Sequence, residues 1–119
     1  MSYFISPPDD TSAFSLDYFH AELSQWEGIV ITVIDDTTDV HALEWVVPMR
    51  QGDVFGAVDQ FGEIVHLDGF LSDCALFALW LRTLVPDEIE LLFYDENYSA
   101  DVPLVAFTCE SDLVRAFGT

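Results

Sequence analysis

Lysine is absent from the sequence, and the only cations are Arg50, Arg82 and Arg115. Against them stand 22 aspartates and glutamates, which leaves a net charge of -19 over 119 residues. Proteins that grip nucleic acid neutralise phosphates with Lys and Arg, so a nucleic-acid ligand is not expected. An anionic membrane surface is ruled against on the same ground. Long hydrophobic runs are also missing. The most apolar stretch, 70–85, is too short to span a bilayer and contains Asp73 and Arg82. The opening MSYFISPPDD has neither a basic region nor a long apolar core, so it does not read as a signal peptide. Cysteine is limited to Cys74, among apolar neighbours, and Cys109, beside Glu110. Both are expected to be reduced thiols in a cytoplasmic protein. The six glycines are scattered, so no phosphate-cradling loop is present.

What the chain has in quantity is apolar and aromatic side chains: 51% of residues are hydrophobic and ten are Phe. That composition builds a folded core, which separates this chain from disordered acidic tails. The length predicts one domain over 1–119. After the break at Pro7-Pro8 and Asp9-Asp10, Ser15 is placed to cap a helix with Asp17 in its first turn. Leu16, Phe19, Leu23 and Trp26 recur at helical spacing and Gly28 ends the run. Ile29–Ile34 is β-branched and nearly all apolar, which predicts a central strand. Val40–Pro48 is the returning strand, and Val54–Val58 and Glu63–Leu67 flank a hairpin loop, Asp59-Gln60-Phe61-Gly62.

Ser72 and Asp73 open a second helix that is apolar nearly all round, which predicts cover on more than one side, by the N-terminal segment or by a second subunit. Pro86 stops it. Ile89–Tyr94 and Val102–Phe107 read as two more strands, and Thr108 or Ser111 caps a closing helix. The order is α-β-β-β-β-α-β-β-α. Short connections between successive strands favour antiparallel pairing, so the expected class is α+β, with about five or six strands in one mainly antiparallel sheet and three helices on one face.

No motif carries catalytic or metal chemistry. Asp35, Thr37 and Asp39 have the alternate spacing that opens a calcium loop, but Val40 stands where Gly is needed and Val46 where Glu is needed. His41 and Glu44, three apart on a strand, are expected on opposite faces and so unable to share a metal. His20, His41 and His66 show no zinc-ligand spacing. There is no nucleophile elbow, and Cys109 has acids and no cation nearby in sequence. The expectation is a protein without cofactor, metal or catalytic residues. A small acidic enzyme would need a concave pocket holding one carboxylate of raised pKa.

The acids themselves remain. They concentrate at 35–39 and 87–101, with Glu110 and Asp112 beyond. A field of one sign this strong fits a basic protein partner, which it would steer by opposite potential. The segments IELLFYDENYSADVPL (89–104) and TCESDLVRAFG (108–118), in a small acidic α+β chain, resemble bacterial immunity proteins, the antitoxins of contact-dependent and secretion-system toxins. The resemblance implies stoichiometric inhibition of a basic toxin, by a monomer or a homodimer. Asp35, Asp36, Asp39, Asp87, Glu88, Glu90, Asp95, Glu96 and Asp101 would pair with Lys and Arg of the toxin, while Tyr94, Tyr98 or Phe61 would serve as aromatic anchors. The alternative is a DNA mimic that blocks a nucleic-acid-binding protein, for which carboxylates spaced like phosphates along one elongated face would be the mark.

Overall fold

Period-two alternation builds the sheet. In 41–48 it sends Leu43, Trp45 and Val47 to one face, and the antiparallel neighbour places Val58, Gly56 and Val54 directly beside them. Seven strands extend this pattern in the computed structural model, which describes residues 2–9, 12–36, 38–97, 101–105 and 108–117. In chain order the elements are β1 (Ser2–Ser6), α1 (Leu16–Leu23), β2 (Val30–Val33), β3 (His41–Pro48), β4 (Asp53–Asp59), β5 (Val65–Asp68), α2 (Leu71–Arg82), β6 (Leu92–Asp95), β7 (Asp101–Pro103) and α3 (Glu110–Phe117). The strands pair in the order β2-β3-β4-β5-β1-β6-β7, and every pairing is antiparallel. The fold is α+β, in the expected order of helices and strands, with one strand added at the front.

That added strand holds the sheet together. SYFIS is too short to announce itself, yet Tyr3 and Ile5 are buried, and Ile5 pairs with Val65 on one side and Phe93 on the other. The opposite revision applies to 30–33. Its β-branched, nearly all apolar character predicts a central strand, but β2 is an edge strand, with Val30 63% and Val33 53% exposed.

The three helices lie on the face that carries Tyr3, Trp45 and Phe93. Phe19 of α1 and Phe77 of α2 meet Trp45, and Phe117 of α3 meets Tyr3 and Phe93. Within the chain, α2 packs against the sheet, which includes the N-terminal strand β1, against α1 with Trp26, and against α3. Fully burying a side chain such as Phe77 or Leu81 contributes ~1.5–3 kcal/mol each. At the start of α2, buried Asp73 reaches to the β3–β4 turn, where its Oδ2 accepts the N–H groups of Gln51 (3.0 Å) and Gly52 (3.2 Å). The last helix is capped in reverse: Asp112 Oδ2 accepts the Cys109 N–H (3.0 Å), whereas Thr108 Oγ1 is engaged with the preceding loop at Val105 and Pro103.

Burial pushes the Cys74 thiol up to about 12. Its folded value lies above the unfolded one, about 8.5, so the unfolded chain releases this proton first as pH rises. Stability is therefore expected to fall progressively as pH climbs from the unfolded value toward the folded one. A second readout is direct. In the native state a thiol reagent should modify exposed Cys109 and leave Cys74 intact, and both should react once the chain is unfolded. Fast native modification of Cys74 would contradict the burial.

Candidate functional site

Asp35, Asp36 and Asp39 are exposed in the connection between β2 and β3. Asp36 Oδ1 accepts from the Thr38 N–H (2.9 Å) and hydroxyl (2.6 Å), which hold its carboxyl below the usual range, and Asp39 Oδ1 accepts from the His41 N–H (2.9 Å). Asp87, Glu88 and Glu90 are exposed in the link from α2 to β6. Antiparallel pairing puts these two groups at the same end of the strands. They are nonetheless far apart, because β2 and β6 are five positions distant in the sheet, roughly 24 Å at ~4.8 Å per strand.

Exposed Glu96 and Asp101 lie at the other end, in and after the β6–β7 corner, and Tyr98 falls outside the described residues. Asp95 is buried: it ends β6 on the helix-covered face, paired with Tyr3. Burial, then the nearby Cys74 and Asp95, raise the Tyr3 phenol. The described candidates therefore do not form a single patch.

What the strands do bring together is the uncovered face of the sheet. Register lines up Glu44, Ala57, His66, Phe4, Tyr94 and Asp101 across β3, β4, β5, β1, β6 and β7. The aromatic members stack. Phe4 lies 4.9 Å from the His66 ring and 5.6 Å from Tyr94, at interplanar angles of 14° and 21°, and the Tyr94 hydroxyl shares a 2.9 Å hydrogen bond with Ser6 Oγ. His66 Nε2 is buried without a hydrogen-bond partner.

This ridge separates two shallow clefts. One, of about 290 Å³, is lined by Val30, Thr32, His41, Glu44, Phe55 and His66 among others, and the second, of about 240 Å³, by Ser6, Pro8, Ile64, Leu92, Tyr94 and Asp101 among others. Of the candidate residues only Tyr94 and Asp101 belong to it. Phe4, Phe55 and His66 were not picked out from the sequence, although the alternation in Val65-His66-Leu67-Asp68 already gives that strand a polar outer side.

His41 and Glu44 share the wall of the first cleft, contrary to the parity expected of residues three apart. A register shift between His41 and Leu43 inserts Ala42 as an extra residue, which returns the two side chains to one face with Nδ1 2.9 Å from Oε2.

The field around this face is negative for a structural reason as well as a compositional one. Arg82 is buried, and its guanidinium donates to the carbonyls of Ile89 (2.7 Å) and Pro86 (2.7 Å), so it is spent inside the fold. Arg50 and Arg115 are exposed, while among the described carboxylates only Asp73 and Asp95 are buried. No described helix is long and apolar enough to cross a membrane. No protein-family model, no curated protein and no solved structure matches the chain.

Proposed function

We propose that this protein is an acidic inhibitor of the immunity type, a cytoplasmic protein that binds a basic toxin and covers its active or substrate-binding surface. The observation that carries the reading is the uncovered sheet face, where an aromatic ridge of Phe4, His66 and Tyr94 sits among exposed carboxylates on a chain with no surface lysine. Aromatic side chains at the centre of an interface supply most of the affinity, and acids at the rim set encounter rate and partner choice. The overall extents of 39 × 31 × 25 Å, with acids gathered at both strand ends, favour this over a mimic of a DNA rod.

The test is retention of partners on the immobilised full chain at low and high salt, followed by purification of what is retained and an assay of its activity with and without this protein. The expected result is a basic protein held at low salt, weakened on the order of tenfold or more by high salt, and inactive in the complex. If no basic protein is retained at low salt, the inhibitor reading is wrong.

A further inference from the structure

We infer that β2 is an acceptor edge, and that the partner adds an extended segment of its own beside it, with cationic side chains on the open face of the sheet. The inference rests on the preceding reading only in taking the partner to be basic. It starts from a mismatch: residues 30–33, Val-Ile-Thr-Val, have the composition of a strand buried between two neighbours, yet among the described strands they have a neighbour on one side only.

The hydrogen-bond phase shows what the free side offers. Ile34 N–H donates to Ala42 O (2.9 Å), and the pairings Thr32↔Glu44 and Val30↔Val46 continue the same register. In an antiparallel ladder, alternate residues turn their backbone toward the neighbour, so Val30, Thr32 and Ile34 face β3. The N–H and C=O groups of Ile31 and Val33 therefore point out of the sheet.

Edge strands in folded proteins are ordinarily blunted by charge, proline, bulges or brevity. The opposite edge obeys this: β7 has three residues and includes Asp101 and Pro103. β2 carries no charged residue, proline or glycine. A second copy is a poor occupant, because pairing β2 with β2 would bring two chains of net charge -19 together.

A basic segment fits on both faces. Residues of an added strand that point to the helix side would lie beside Ile31 and Val33, which calls for apolar side chains. Those on the open side would lie beside Val30 and Thr32 at the mouth of the 290 Å³ cleft. Thr32 is short, so an arginine there reaches over it to Glu44, whose Oε2 is already held by His41 at 2.9 Å. Main-chain bonds would supply affinity and the alternation would supply specificity, as in other strand-addition complexes.

The probe is an acetylated, amidated hexapeptide of alternating arginine and valine, with a glutamate-for-arginine version as control. Amide hydrogen exchange of the intact protein should show Ile31 and Val33 unprotected when free and slowed at least ~10-fold with the arginine peptide, with no effect from the control. Val33→Pro removes one outward N–H while leaving the β2–β3 ladder intact, and should weaken the peptide at least ~10-fold, whereas Val33→Ala should stay within ~3-fold. Glu44→Gln should weaken binding a few-fold and flatten its salt dependence.

Three results would overturn the inference: peptide binding that leaves the Ile31 and Val33 amides unprotected, equal affinities for Val33→Pro and Val33→Ala, or a free protein in which those amides are already protected and the mass is that of a dimer. Failure of the peptide to bind also rejects strand addition. The inhibitor reading is judged separately, by the retained basic protein.

Discussion

Replacing Gly56 with alanine is expected to destabilise the protein by about 3 kcal/mol, and to lower the melting temperature by roughly 12 °C at ~4 °C per kcal/mol for a domain of this size. Gly56 of β4 sits directly across from Trp45 of β3, and the indole fills the space a side chain at Gly56 would need. A Cβ at this position would fall 2.2 Å from Cε2, 2.3 Å from Nε1 and 2.4 Å from Cζ2 of Trp45. The ring has no room to retreat, because Phe19 and Phe77 pack against it at 5.2 and 5.7 Å between centroids. Either the strands part or the aromatic cluster repacks. Thermal unfolding followed by circular dichroism measures the loss. Trp45→Leu should remove the clash, so Gly56→Ala made in that background should cost far less than alone, a non-additivity that isolates the contact. A Gly56→Ala protein that melts within ~2 °C of the parent would show that the ring can move aside.

Arg82→Met is expected to cost about 2–3 kcal/mol, because it strands buried acceptors and keeps the apolar stem. The guanidinium stitches the end of α2 to the entry of β6 through the carbonyls of Ile89 and Pro86, and a third carbonyl, of Val85, lies at 3.5 Å. Lysine cannot present that fork, so Arg82→Lys should recover only part of the loss. The nearby Asp87 carboxylate, 3.9 Å away, is 95% exposed and contributes little. Asp87→Asn should therefore shift stability by less than ~0.5 kcal/mol. Chemical denaturation of the three variants separates the two roles. If Asp87→Asn costs as much as Arg82→Met, the arginine acts as an ion-pair partner and the clamp is misassigned. The clamp also shapes the candidate surface, since it fixes the backbone from which Asp87, Glu88 and Glu90 project.

The elements that could be read from sequence were those whose periodicity has one interpretation. Leu16, Phe19 and Leu23 mark a helix whatever they pack against, and the turn at 59–62 declares its hairpin through Asp59, whose Oδ1 accepts the N–H groups of Glu63 and Ile64. Position within the sheet could not be read in this way. A run such as Ile29–Ile34 is the same string at the centre and at the edge, because apolarity reports what a strand can bury and not what lies beside it. Conversely SYFIS is central and looks incidental, since both its partners are remote in sequence.

The same limit governs the site. Two acidic clusters were visible in the chain, but their separation across the sheet depends on strand order. The burial of Asp95 depends on which face residue 95 takes in β6. One inserted residue, Ala42, reversed the parity that would have kept His41 and Glu44 apart.

The central place of β1 has a consequence in time. Its residues are translated before the other strands of this sheet, yet Ile5 must wait for Val65 and then for Phe93 before either side is paired. The run from β2 to β5 is joined by short turns and can assemble locally, at low loop-closure cost. The two halves unite only when β6 arrives, so the sequence separation of the β1–β6 pairing should place folding toward the slow end for domains of this size. Until then the sheet has an open side at β1, the kind of exposed edge that draws incomplete chains together. For such waiting chains, mutual repulsion from an excess of carboxylates is a protection that operates before any partner is met.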